Sequence, residues 1–153
     1  MKYIFLDVDG VLNCSDSFKR PCDIDPIDED KVLRLKKIID VTDAKVVVTS
    51  TWRLYDETKF KLGKFLYNHG IRIYECTPRI CRGTRSDEIW SFINSQCMFS
   101  HDGEYGYVIL DDDVIEDKEL RQHQVRTHYH NNDGTPGGLQ DKHVEQAIKI
   151  LNS

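Results

Sequence analysis

The chain has 153 residues, of which 39% are hydrophobic, 10% aromatic and 31% charged. These proportions fit one folded globular domain and exclude a disordered, collagen-like or coiled-coil chain. Its 21 basic and 26 acidic residues give a formal net charge of −5, which is not the footprint of a protein that tracks a nucleic-acid backbone, although a local basic patch remains open. Short β-rich runs then alternate with segments of helical period, the sign of an α/β fold built from βαβ units. Lys2–Leu6 is the first predicted strand, followed by an irregular polar stretch. Asp25 as cap and Pro26 at the first helical position open a helix whose Val32, Leu35, Ile38 and Ile39 form one apolar stripe. Lys45–Val48 is a continuous β-branched run, as in a central strand covered on both faces. A helix over Asp56 to His69 carries Phe60, Leu62, Phe65 and Leu66 inward and ends at Gly70; Ile71–Tyr74 is the third strand. Ser86 caps a helix with Ile89, Trp90, Phe92 and Ile93, and Tyr107–Leu110 is the fourth strand. After the polar segment Ile115–Gln122, Val125–Thr127 forms a short fifth strand. Beyond the Asp133–Gly138 loop, Asp141 caps a closing helix with Val144, Ala147, Ile148 and Leu151 inward.

No run approaches the ~20 apolar residues of a membrane span, and MKYIFLD reaches an acid too early for a signal-peptide core. A cytoplasmic protein with no membrane partner and no obligate protein partner is expected. The cysteines Cys14, Cys22, Cys76, Cys81 and Cys97 contain no C-x-x-C pair and read as reduced, structural thiols.

Three apolar runs end alike: YIFL meets Asp7, VVV meets Thr49 and Ser50, and YVIL meets Asp111, Asp112 and Asp113. In a parallel sheet all carboxyl ends lie on one edge, where open α/β folds place their ligands. Any single acid after a strand is an ordinary turn residue, but three coincidences, with Asp9 close by, crowd five carboxylates at one edge. Their repulsion calls for a hard divalent cation with oxygen ligands, and magnesium, which also binds substrate phosphate, points to phosphoryl chemistry. A calcium loop starting at Asp7 fails, because its twelfth position is Phe18 where a bidentate acid is needed.

Asp7-Val8-Asp9-Gly10-Val11-Leu12-Asn13 resembles the first motif of haloacid dehalogenase (HAD) superfamily phosphatases, and Thr49, Arg85 and Asp111-Asp112 resemble its later motifs in order. The stretches Thr49–Arg53 and Arg85–Trp90, the Asp111–Asp113 run and the late Gly138-Leu139 resemble the small HAD domains of Swiss Army Knife RNA repair proteins. The resemblance implies a Rossmannoid three-layer sandwich over residues 1–153, with a mainly parallel five-stranded sheet. It also implies a Mg²⁺-dependent phosphatase working through an aspartyl phosphate. In that scheme Asp7 is the nucleophile and Asp9 the general acid and base. Mg²⁺ is held by Asp7, by the Asp9 backbone carbonyl, by Asp111 and by Asp112 directly or through water. Thr49 hydrogen-bonds a phosphoryl oxygen and Arg85 offsets its charge. Ser50 competes with Thr49, and Arg82 with Arg85, for those two roles. Gly10 supplies a backbone shape that a side chain would obstruct.

Arg79, Arg82 and Arg53 are candidates to receive a phosphorylated substrate or nucleic-acid end, against a plain solvated loop. Trp52 either stacks on a base or packs near the strand end. His128 and His130 lack a third ligand at metal spacing and read as a surface pair; the acids from Asp23 to Asp30 read as a solvated helix entry. The stretches after Asn13 and from Glu75 to Arg85 are too short for a folded cap domain, so the site should be open to a nucleic-acid end or a protein as well as a small metabolite. A receiver-like binding domain without efficient turnover, or a phosphotransferase that uses the same intermediate with another acceptor, is the alternative; Asp9 favours catalysis over the receiver, which needs no acid there.

Overall fold

A computed structural model describes residues 1–19, 24–99 and 105–153. Cys22, Asp23 and the side chain of Cys97 lie outside the described residues; Cys14, Cys76 and Cys81 are free thiols. The elements run β1 (Lys2–Leu6), α1 (Glu29–Thr42), β2 (Lys45–Val48), α2 (Asp56–Asn68), β3 (Ile73–Cys76), α3 (Arg85–Phe99), β4 (Gly106–Asp111), α4 (Lys118–Arg121), β5 (Gln124–Arg126) and α5 (Asp141–Leu151). One-turn 3-10 segments at Ser15–Lys19 and Thr51–Leu54 follow β1 and β2. The five strands form one all-parallel sheet in the order β3-β2-β1-β4-β5, and no cap domain is present among the described residues.

Alternation along the strands divides the core into two layers. Ile4, Leu6, Val46, Val48, Val108 and Leu110 pack with α1, α2 and α5 on one face. Tyr3, Phe5, Val47, Tyr107 and Ile109 meet Ile89, Phe92 and Ile93 of α3, with Leu120 of α4, on the other. Phe92 stands edge-on to Tyr3 and Phe5, with centroids 5.4 and 5.6 Å apart, a favoured aromatic geometry. Burying each such side chain contributes about 1.5–3 kcal/mol. No helix among the described residues is long and apolar enough to cross a membrane.

Several boundaries differ from those expected, each for a local reason. Helix α1 starts at Glu29, not at Pro26, because the Asp28 amide donates to Leu12 O (2.8 Å) and Pro26 O accepts from Asn13 Nδ2 (3.0 Å), which keeps residues 26–28 beside the first loop. β3 starts at Ile73 because the Ile71 amide closes α2 by donating to Leu66 O (2.9 Å) after Gly70 at φ 75°. Phe60, expected inward, is 72% exposed, while Leu62 and Leu66 fill the core. Helix α3 starts at Arg85 and is capped by Thr84: the Asp87 amide donates to Thr84 Oγ1 (3.3 Å) and the Thr84 amide to Asp87 Oδ2 (2.7 Å).

The cap of α5 is Gln140 rather than Asp141, whose carboxylate accepts from Arg34 Nε of α1 (3.0 Å). The Gln140 amide donates to Nδ1 of the buried His143 (2.9 Å). Burial, aided by the charges of Lys142, His128 and Arg34, pushes the His143 pKa down to about 4. The unfolded chain takes up this proton near 6.5 and the folded chain only near 4. Stability is therefore full above pH 6.5 and is lost as pH falls toward 4. His143→Gln should flatten the pH profile of the thermal midpoint across that window; an unchanged profile contradicts the assignment.

Candidate active site

The strand order reverses between β1 and β4, and a crevice opens at such a switch point beyond the carboxyl ends of the strands. Ladder bonds run one residue past the strands and fix the backbone there: the Asp7 amide donates to Leu110 O (3.0 Å), Thr49 to Leu6 O (2.9 Å) and Thr127 to Asp111 O (3.1 Å). Asp7, Thr49 and Asp111 are thereby brought to one edge, all buried.

Arg85 reaches them from the first residue of α3. Its Nη1 donates to Asp111 Oδ2 (2.8 Å), Thr49 Oγ1 (2.9 Å) and Asp7 Oδ1 (3.3 Å). Burial pushes Asp7 above the usual carboxylate range against the opposing Arg85 charge. Burial and then the Asp7 charge push Asp111 up to about 7, and burial with Asp7 and Asp113 pushes Asp112 up to about 6. Burial works against the Arg85 charge, but Asp7 and Asp111 outweigh it and raise its pKa.

Asp7, Asp111 and Asp112 each offer an oxygen within 4.8 Å of the others. Three carboxylates facing one guanidinium leave 1 − 3 = −2 when all are ionised, and every donor is a hard oxygen, so the set fits a divalent cation of the magnesium class. Asp9 stands outside this group with its carboxylate held at both ends: Asn13 Nδ2 donates to Oδ1 (2.9 Å) and Trp52 Nε1 to Oδ2 (3.1 Å).

Gly10 has φ 81°, and a Cβ there would stand 2.4 Å from Asp112 Cγ and Oδ2. Gly10→Ala should cost about 1–3 kcal/mol from backbone strain alone, plus displacement of Asp112. A urea unfolding midpoint equal to wild type would contradict this.

The two open choices separate geometrically. Thr49 turns its hydroxyl to Arg85, whereas buried Ser50 caps the 3-10 turn, its Oγ accepting from the Trp52 amide (3.3 Å). Arg85 enters the carboxylate cluster, whereas Arg82 is exposed in the preceding turn with φ 61°, and Arg79, ahead of that turn, is exposed as well. Arg53, expected to face substrate, is instead turned inward, 8% exposed. Its guanidinium donates to Thr77 O, Thr49 O and Ser50 O and pairs with Glu88 Oε2 (2.7 Å), stapling the ends of β2 and β3 to α3.

Trp52 packs in the core at 4% exposure rather than presenting a stacking face. Its hold on Asp9, and that of Asn13, went unread in the sequence: Asn13 stood in the first motif without a role, and only folding brings Trp52 to Asp9. His128 and His130 stay exposed, His130 Nδ1 sharing a 3.0 Å hydrogen bond with Ser15 Oγ.

A family model described as the HAD domain in Swiss Army Knife RNA repair proteins matches residues 3–144. No curated protein and no solved structure gives a significant match to the chain. The matched span runs from within β1 into α5 and holds Asp7, Thr49, Arg85, Asp111 and Asp112 in the order that the fold brings together. With sheet, motif order and family model agreeing over 142 residues (144 − 3 + 1), the chain belongs to the family of HAD domains in Swiss Army Knife RNA repair proteins, HAD-type enzymes of the phosphohydrolase class.

Proposed function

We propose that the protein is a Mg²⁺-dependent phosphomonoesterase that passes the phosphoryl group first to Asp7 and then to water. The observation that carries this is the meeting of two carboxylates, Asp7 and Asp111, and the Thr49 hydroxyl on Arg85 Nη1, with a further carboxylate, Asp9, two residues from Asp7. Asp7 attacks phosphorus as the bond to the leaving oxygen breaks, and protonated Asp9 gives that oxygen its proton. Ionised Asp9 then takes a proton from water, whose oxygen attacks the aspartyl phosphate at phosphorus and frees Asp7. Arg85 and Thr49 hold the phosphoryl oxygens through both transfers. Asp7, Asp111 and Asp112, with the Asp9 carbonyl, would hold Mg²⁺, which supplies neutralisation of the carboxylates and of the phosphoryl charge.

The uncapped sheet edge favours a substrate larger than a metabolite, and the family's association with RNA repair favours a phosphorylated nucleic-acid end. Phosphate release should be measured over 5′- and 3′-phosphorylated oligonucleotides, nucleotides and sugar phosphates, with and without Mg²⁺. Release that needs Mg²⁺ and is fastest on an oligonucleotide end supports the proposal. A stable phosphoryl-enzyme without turnover would mean a receiver-like domain, and transfer to an acceptor other than water a phosphotransferase.

Trp52→Phe keeps the buried ring and removes one donor from Asp9. Losing one hydrogen bond to a charged group corresponds to about 1.5–3 kcal/mol, so kcat should fall about 10- to 100-fold with KM nearly constant. A change confined to KM would contradict a positioning role.

A further inference from the structure

Helix α2 turns an apolar face outward. Phe60 and Tyr67 are 72% and 62% exposed and stand seven residues apart, hence on one side of the helix. They border a groove of about 1120 Å³ whose other wall is β3. As the end strand of the sheet, β3 leaves its outer row of amide and carbonyl groups without a strand partner among the described residues.

Size, charge and direction together choose the occupant. An open groove of this size along an unpaired strand edge suits a polymer segment. Its charged lining is Asp56 and Glu75 against Lys59 and Lys64, 2 − 2 = 0, which offers no attraction to a polyanion. Helix α2 follows parallel strand β2 and returns antiparallel to it, so Asp56 and Lys59 lie toward the catalytic edge, as does Glu75 late in β3, leaving that end one negative charge in excess, while Lys64 lies toward the opposite end. A two-fold axis through the groove sets the acidic end of one copy against Lys64 of the other. That self-complementarity is what an isologous interface requires.

Gly63, between the two aromatics, adds an independent indication. Glycine is unfavourable in a helix interior, and an added Cβ would meet only Ile73 Cδ1, at 3.9 Å. Nothing within the described chain demands glycine there, and the position leaves room for the close approach of a second backbone.

We propose that the protein forms a two-fold homodimer through α2 and β3, with the β3 strands pairing antiparallel to join two sheets into one. The two active sites then open toward opposite edges of the joint sheet and work independently.

Analytical ultracentrifugation of the full chain, from low to high micromolar concentration, tests this. The expected result is a wild-type dimer, with Phe60→Glu monomeric. Lys64→Glu and Glu75→Lys should each raise the dissociation constant by about 10-fold or more, and the double variant should recover dimerisation. Circular dichroism of each variant checks that its fold is kept. A monomer at every concentration, a dimer indifferent to Phe60→Glu, or no recovery in the double variant overturns the proposal. So does binding of a fluorescent single-stranded oligonucleotide to monomeric wild type that Phe60→Glu abolishes.

Discussion

Replacing Asp7 by asparagine should lower kcat for phosphate release by about 10⁴-fold or more, the scale on which removing a covalent nucleophile acts. Asparagine keeps the shape of the side chain and its ability to accept from Arg85, so the loss reports chemistry rather than collapse. The same variant should be more stable than wild type in metal-free buffer. The Asp7 charge is among the causes that push Asp111 to about 7 and Asp112 to about 6, and removing a buried like charge relieves both. Activity lost while the thermal midpoint rises is the signature of a site kept strained for function. Wild-type turnover in Asp7→Asn, or a variant that fails to fold, would contradict the assignment.

Arg85→Ala should lower kcat by about 10²- to 10³-fold, as loss of one positioned donor to a developing oxyanion does elsewhere, and should act on stability in the opposite direction from Asp7→Asn. Without the guanidinium, Asp7 and Asp111 lose their bonded positive partner at 3.3 and 2.8 Å. Breaking a fully buried pair costs about 3–5 kcal/mol, but the Arg85 side chain is 26% exposed, which reduces the loss to about 1–3 kcal/mol.

The pH dependence of that loss has a definite sign. Burial already holds Asp7 and Asp111 above the usual range against the Arg85 charge, and removing Arg85 raises both further. A carboxyl with a raised folded pKa contributes stability that is present below its unfolded value of 3.8 and lost as pH rises through the folded value. Metal-free Arg85→Ala should thus lose more stability between pH 5 and 8 than wild type, and Mg²⁺ should restore part of it. Arg85→Lys, which keeps the charge, should recover part of both stability and rate. A variant whose unfolding profile matches wild type across this range would contradict the role given to Arg85.

The sheet and much of the site were legible in the sequence because both depend on strand ends. β2 matches residue for residue, since a continuous β-branched run between polar ends has one way to lie in a central strand. Asp7, Thr49 and Asp111 could be gathered on paper because parallel strands put their carboxyl ends on one edge. Helix starts were harder: α1, α3 and α5 are set by bonds such as Leu12 O to the Asp28 amide and by caps at Thr84 and Gln140, where equally good capping residues stood nearby. Arg53 shows a further limit. An arginine following a motif residue looks like a substrate contact, and only the meeting of β2, β3 and α3 reveals enough acceptors to bury it. Phe60 shows the converse, an apolar residue at core spacing that the helix leaves outside.

The proposed reaction passes the phosphoryl group through Asp7. Peptide mass mapping after acid quench, on Asp9→Asn mixed with a phosphorylated oligonucleotide and Mg²⁺, tests it most directly. In that variant both transfers slow, the first for want of the acid and the second for want of the base, and over a long incubation the aspartyl phosphate builds up because its hydrolysis has no other base. One phosphoryl group is expected on the peptide containing Asp7, removable by hydroxylamine and missing when Asp7 is also replaced by asparagine. Phosphoryl label on another residue, or wild-type turnover that never labels this peptide, would contradict it.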